Sequence, residues 1–321
     1  MSLDIDQILD RRQLRRRLSF WRIGSLILLA LLILMALNSA GAFKSVSARN
    51  DHIARVAISG MIVDDRPLLK MLKSIKDDNR VKGVMLVINS PGGTTVGGEA
   101  IFEAVRQIAE KKPVVTSIGT LAASAGYMIA TASDHIVARR SSIVGSIGVI
   151  FQYPQAGELL DKIGVTVKEI KSSPLKAEPS PFHAPPPEAE AAIEELIGDS
   201  YQWFVDLVTD RRPLNRAEVL ELADGRVFSG DRSVQNKLID AIGGEEKARK
   251  WLVEERKLDN QLKVLEWQPK RPGQGLSLFS TMLHWMLPGS EKIEEFSQLN
   301  GIPATIRKRL FAEGLLSIWV K

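Results

Sequence analysis

The sequence predicts an α/β fold, a core of repeated strand–helix units with parallel strands, carried behind one N-terminal transmembrane helix. Three observations predict it. Val84-Met-Leu-Val-Ile88 is an unbroken apolar run of the kind found in strands covered on both faces. Runs of strand type and helix type alternate from Ile53 to Lys257, the pattern of a parallel sheet with crossover helices. Ile23 to Phe43 carries no charge, and a bilayer core of ~30 Å takes about 20 such residues as a helix.

Taken in order, residues 1–22 form a basic segment with Arg11, Arg12, Arg15, Arg16, Arg17 and Arg22. Arginines before an apolar span stay in the cytoplasm, so the rest of the chain is expected outside it. A cleaved signal peptide ending near Val46-Ser47-Ala48 is the alternative, although the apolar run exceeds a usual signal core. The basic block has no interleaved aromatics and is not read as a nucleic-acid site. The net charge of +5 is mild, and 45% hydrophobic with 25% charged residues is ordinary for a globular chain. The absence of cysteine excludes disulfides, thiolate chemistry and cysteine-ligated metals.

Residues 44–52, including His52, read as a polar tether. Ile53–Ser59 alternates as a strand, and 66–79 is a helix with Leu68, Leu69, Leu72 and Ile75 on one stripe. Val81–Asn89 is the buried strand. Ser90-Pro-Gly-Gly93 ends it, and a helix follows over 94–111 with Ile101, Ala104, Val105 and Ile108 on its apolar face. Pro113–Ile118 and Asp134–Ala138 are strands, 156–163 a short helix and Val165–Ile170 another strand. Residues 171–187 hold six prolines and are expected to form an extended, rigid loop. A long helix follows Pro187, with Ile193, Leu196, Ile197, Phe204, Leu207 and Val208 on one stripe. Shorter helices are expected over 216–223, 231–239 and 245–258. The domain reading is a basic segment over 1–22, an anchor over 23–43, an α/β domain over 53–257 and a C-terminal extension over 258–321. Residues 276–287 and 306–320 of that extension are apolar with scattered positive charge, and 277–287 either packs on its own subunit or touches the membrane surface or a neighbour.

Two stretches carry candidate chemistry. Gly119-Thr-Leu-Ala-Ala-Ser-Ala-Gly-Tyr127 reads as a strand-to-helix turn of small residues around Ser124. A helix starting there aims free N–H groups at the serine, but a serine in such a turn also serves as a plain N-cap. The Gly92-Gly93 pair at a strand end is not a P-loop, since no Gly-Lys-Ser/Thr follows. It either presents backbone N–H groups to an oxyanion or is an ordinary turn. A serine nucleophile needs a base. Of His52, His135, His183 and His284 none stands in a setting that marks a positioned base. Lys176 in the proline loop is the other option, because a lysine kept neutral by burial accepts a proton. A solvated loop lysine is the plain reading of the same residue.

Four motifs in this order change the balance: Val87-Ile-Asn-Ser-Pro-Gly-Gly93, Ala122-Ala-Ser-Ala-Gly-Tyr127, Gly145-Ser-Ile-Gly-Val149 and Lys176-Ala-Glu-Pro-Ser-Pro-Phe182. Together they resemble the signal peptide peptidases of the S49 family, in the short single-repeat form, over about residues 53–255. The resemblance implies a crotonase-like/ClpP-like fold and a Ser/Lys dyad, with Ser124 as nucleophile and Lys176 as general base. It implies an oxyanion hole from Gly92 or Gly93 with the Ala125 N–H, and Ser146 hydrogen-bonded to the lysine amine. It implies released signal peptides as substrate, a homo-oligomeric ring with a dyad shared between neighbours, and no metal or cofactor. It also implies an inner-membrane anchor with the catalytic domain on the periplasmic side. Two departures stand out: Ala125-Gly126 where the family has Gly-Gly, and Ser172-Ser-Pro-Leu-Lys176 where it has Ser-Gly-x-Tyr-Lys. A crotonase-type acyl-CoA enzyme and a non-catalytic membrane scaffold are the competing expectations.

Overall fold

The computed structural model describes residues 20–29, 50–271 and 316–318. The chain divides into two units. One comprises Met1–Asn50 with Arg271–Ser297, and in it residues 20–29 form a helix whose Trp21, Leu26 and Leu28 are exposed. Of the expected anchor, residues 30–43 lie outside the described residues, as do 276–287. Among the described residues no helix is long and apolar enough to cross a membrane.

The other unit is built on one mixed sheet. Its strands are β1 (His52–Ser59), β2 (Val81–Ser90), β4 (Val114–Ala123), β5 (His135–Ala138), β6 (Ile143–Gly145), β7 (Val227–Ser229), β8 (Ala241–Ile242) and β9 (Lys263–Trp267). The main order is β7-β6-β4-β2-β1-β9, with β5 between β4 and β8. Every pairing in it is parallel except β6 with β7. A two-stranded ribbon, β3 (Gly92–Thr94) against β10 (Leu316–Ile318), lies off the sheet path. The helices are α1 (Arg66–Asp77), α2 (Thr95–Ala109), α3 (Ala125–Thr131), α4 (Gly157–Lys162), α5 (Pro187–Arg211), α6 (Arg216–Leu222), α7 (Gly230–Gln235) and α8 (Glu245–Glu254).

Both faces of the central strands are buried, as the run Val84–Ile88 predicts. Val84, Leu86 and Ile88 face the large core with Leu72 of α1, Ile101 and Val105 of α2 and Phe204 of α5. Met85 faces the other way, with Ile53, Val115 and Val137, onto Ala248 and Leu252 of α8. Alternate residues of one strand thus fill two separate cores. Helix starts are fixed locally. Asp65 accepts the Leu68 N–H at 3.1 Å, and Thr94 accepts the Gly97 N–H at 3.1 Å.

Several expectations need correction. His52 is not on a tether: it opens β1, is buried, and accepts the Trp267 indole N–H at 3.1 Å. Val165–Ile170 forms no strand. Its residues alternate, but alternation makes a strand only where another backbone pairs with it. The buried stripe of α1 uses Met71 where Leu69 was expected, and Leu69 packs at the margin. The first half of α5 leaves Leu196 exposed, so the stripe is buried only from Phe204 onward. The strands β7 and β8 were not foreseen, and residues 263–267 of the C-terminal extension add β9 to the sheet beside β1.

Candidate active site

Strand β4 runs through Ala123 and helix α3 begins at Ala125, so the turn expected over 119–127 narrows to Ser124 alone. Its backbone sits at φ 54 and ψ −121, and it makes no side-chain capping bond. An N-cap occupies the extended region and accepts from the helix's second or third N–H. Ser124 does neither, so capping does not explain it. The turn is held by Ser124 N–H donating to Gly145 O at 2.8 Å and by Ser124 O accepting from Met128 N–H at 2.9 Å. A non-glycine residue in this region costs about 1–3 kcal/mol, and such strain concentrates at functional sites. Ser124→Gly should therefore be more stable than Ser124→Ala, by about 1 kcal/mol, since only glycine relaxes there. Equal urea midpoints for the two variants would remove the strain argument.

Strain gathers on the residues singled out in the sequence. Among described non-glycine residues with positive φ are Ser124, Ser146 and Ala177, which follows Lys176; Lys237 and Lys257 lie shortly past helix ends, where the left-handed conformation is common. Gly145, at φ 105, links the first two. Its carbonyl holds Ser124, while the next amide, of Ser146, donates to Arg226 O at 2.8 Å. Ser146 is buried.

Helix α3 is entirely buried. Tyr127 anchors it by donating its hydroxyl to Leu238 O at 2.8 Å, and burial pushes that phenol well above its ordinary pKa, so it stays a donor. The N–H groups of Ala125, Gly126 and Tyr127 precede the first intrahelical bond and have no acceptor in the helix. Small residues let the neighbouring elements close on this end. A Cβ on Gly98 of α2 would lie 3.0 Å from Ala125 Cβ, and one on Gly126 would lie 3.0 Å from Ser90 O.

The Gly92-Gly93 pair is the short strand β3. Ile62 N–H donates to Gly92 O at 2.8 Å and Thr94 N–H donates to Ile62 O at 2.9 Å. Gly92 N–H donates to Ser90 Oγ at 3.1 Å. In an extended strand neighbouring residues present their polar groups to opposite edges. Gly93 therefore turns its N–H and C=O to the edge along which residues 316–318 lie antiparallel, Ser317 opposite Gly93. Of the two glycines offered by the sequence, Gly92 is turned to Ser90 and Ile62, and Gly93 is the one whose N–H faces the outer edge, where residues 316–318 pair.

Lys176 is not brought to this group. It stands exposed on the proline-rich arm, and its ammonium makes no hydrogen bond or ion pair to a described residue, Ser146 included. The loop that carries it is nonetheless fixed. Lys171 Nζ lies 2.5 Å from both Glu169 Oε2 and Glu178 Oε1, which closes the chain across the base of the Lys176 turn. Ser180 adds bonds to both carboxylates. Lys171, with help from Ser180, holds the Glu169 carboxyl down to about 2. The two carboxylates in turn raise Lys171, so this lysine stays charged and is unsuited to be a base.

The other titratable candidates are engaged elsewhere. His135 stacks on Trp251 at 4.8 Å between ring centroids, and burial lowers its pKa. His183 is exposed, with Nε2 3.3 Å from Glu169 Oε2. His284 lies outside the described residues. Glu169, Glu178 and His183 have ligand atoms close enough to share a cation. Lys171 already supplies the positive charge between the two carboxylates, so this group is read as an ion-pair lock.

Comparison with known proteins shows the family. Residues 106–259 match the model of peptidase family S49. A putative protease of Synechocystis is 39% identical over 201 residues, covering 62% of this chain and 72% of the relative. A putative signal peptide peptidase SppA of Enterococcus faecium is 36% identical over 240 residues, 70% of each chain. Protease 4 of Haemophilus influenzae is 32% identical over 273 residues, 80% of this chain and 43% of that one. The chain belongs to peptidase family S49 and is of its signal peptide peptidase A type.

Proposed function

We propose that this peptidase is a membrane-tethered serine endopeptidase that cleaves released signal peptides and similar apolar peptides, with Ser124 and Lys176 as its dyad. The observation that carries the reading is the strained, non-capping Ser124 together with Gly93, the residue of β3 whose amide faces the outer edge rather than Ile62 or Ser90. Ser124 Oγ attacks the peptide carbonyl while neutral Lys176 Nζ takes its proton. The tetrahedral oxyanion is held by the N–H groups of Gly93 and Ala125. The C–N bond then breaks, and Lys176 returns the proton to the leaving amine. Water attacks the acyl-enzyme with Lys176 again as base, and the serine proton is restored.

The dyad is assembled between subunits of a ring with a crotonase-like core. Support comes from the arm itself, where Leu159, Ile163, Val167, Ile170, Leu175 and Phe182 are all exposed. A neighbouring subunit covering such a surface buries apolar area and dries Lys176, which favours its neutral form. The substrate lies as an added strand on the β3 edge, and the backbone pairing of residues 316–318 there is consistent with that geometry. Residues 23–43 form the anchor at the inner membrane, with the arginines on the cytoplasmic side and the peptidase unit in the periplasm. The exposed apolar helix over 20–29 accords with this.

The test is a serine-directed fluorophosphonate and a fluorogenic Leu/Ala-rich peptide. Labelling at Ser124, with label and cleavage both lost in Ser124→Ala, is the expected result. Cleavage that survives in Ser124→Ala rejects the serine mechanism.

A further inference from the structure

Between β2 and α2 the backbone offers few amides to a developing negative charge. Pro91 has none. The Thr94 amide is committed to Ile62 O at 2.9 Å, and the Gly92 amide to Ser90 Oγ at 3.1 Å. Gly93 is the one whose direction then matters; its peptide plane includes Gly92 O, which accepts the Ile62 N–H at 2.8 Å, and the peptides on either side are held by Ser90 and Ile62.

We propose that Ser90 is a positioning residue for the reaction, aiming the Gly93 amide by holding the Gly92 amide away from it. This rests on the oxyanion reading given above and goes beyond it. Ser90 is completely buried. Its single hydroxyl proton goes to Gly60 O at 2.7 Å, the end of β1, while its oxygen receives Gly92 N–H. One small group thus satisfies a carbonyl on one segment and an amide on another, which needs both a donor and an acceptor on the same atom. Gly92 has φ 110, the conformation in which its N–H turns back toward Ser90. Ser90 also abuts the nucleophile helix, because a Cβ on Gly126 would meet Ser90 O at 3.0 Å and Ser90 Cβ at 3.3 Å. The residue therefore fixes β3 relative to the first turn of α3, the two elements that supply the oxyanion donors.

Removing the hydroxyl leaves Gly60 O and Gly92 N–H unpaired in a dry place, and the Gly92 peptide turns to find another acceptor. The next peptide, hinged at Gly92, shifts in response and tilts the Gly93 amide against the Ile62 N–H to Gly92 O bond. Loss of an oxyanion donor costs about 10²–10³ in turnover, so a misaimed donor in Ser90→Ala should lower kcat by about 10- to 100-fold. KM for the peptide should stay within about 3-fold, because ground-state binding does not use that amide.

The measurement is kcat per phosphonate-titrated serine in the full-length protein, together with affinity for a peptide aldehyde, which forms a tetrahedral adduct on Ser124. The aldehyde should weaken by the same factor as kcat/KM. Ser90→Cys keeps the size and gives up most of the hydrogen bonding, so it provides the same comparison if Ser90→Ala fails to fold. Ser90→Thr, which restores the hydroxyl, should recover aldehyde affinity. A purely structural role would lower folded yield and leave kcat per titrated site unchanged, and that outcome overturns the proposal. Ser124→Ala separates the two readings. If it abolishes cleavage while Ser90→Ala and Ser90→Cys turn over at the parent rate, only the role of Ser90 is lost.

Discussion

Lys176→Ala is expected to abolish peptide cleavage, by about 10³-fold or more, in a protein that folds and assembles as before. General-base catalysis contributes about 10²–10⁴-fold, and a nucleophile and base acting as a unit fail together. The folding side of the prediction follows from exposure. The Lys176 ammonium has no partner among the described residues of its own chain, and substitutions at such sites usually stay within about 0.5 kcal/mol. The loop keeps its shape through Lys171, Glu169 and Glu178. The stronger form of the test mixes two inactive proteins. Oligomers combining Ser124→Ala and Lys176→Ala subunits should regain activity where a parent serine faces a parent lysine across an interface. If the mixture stays inactive after verified subunit exchange, the shared dyad is rejected; if Lys176→Ala alone is active, the lysine is not the base.

Gly93→Ala should fail for a different reason. An added Cβ would lie 1.9 Å from Ile62 O, 2.5 Å from Ile62 N and 2.6 Å from Ile62 C. All three are backbone atoms, so no side chain can swing aside. The bridge between Ile62 and β3 must open, losing its two hydrogen bonds. We expect a destabilisation of about 2–4 kcal/mol from the clash and the unpaired groups. Turnover should drop about 10²–10³-fold in whatever fraction folds, because the Gly93 amide moves with the strand. Gly119→Ala is the control, since its nearest contact would be an ordinary 3.5 Å. Urea midpoints and phosphonate labelling rates decide the matter; a Gly93→Ala protein as stable and reactive as Gly119→Ala would refute the close-approach argument.

How much could be read beforehand depended on whether a residue's role is local. The central strands were legible because burial on both faces writes an unbroken apolar run, as in Val84–Ile88. The breaks at 90–93 and around Ser124 were legible because glycine, proline and small residues cluster there. The short strands β7 and β8 were not, since two or three residues carry no period and depend on a distant partner for their existence. Val165–Ile170 shows the converse failure, a strand-like pattern that pairs with no backbone among the described residues. His52 was misread for a related reason: Trp267, which donates to it, lies 215 residues further on. Ser124 and the glycine pair were visible as candidates, but the choice of Gly93 over Gly92 needed the hydrogen bonds of Ile62 and Ser90. The hydroxyl of Ser90 left one faint trace, its place before a proline that removes an amide and a glycine that has one to give.

The ribbon strand β3 is only three residues long, with one edge already closed by Ile62. Its other edge holds residues 316–318, and any substrate proposed to replace them must be a stretch of polypeptide whose amides are not engaged with their own chain. Natively folded clients, with their backbones already zipped into helices and sheets, fail that requirement whatever their sequence. Under the strand-addition mode proposed above, selection would act on foldedness before side chains, favouring a short, unravelled, greasy fragment over an intact neighbour.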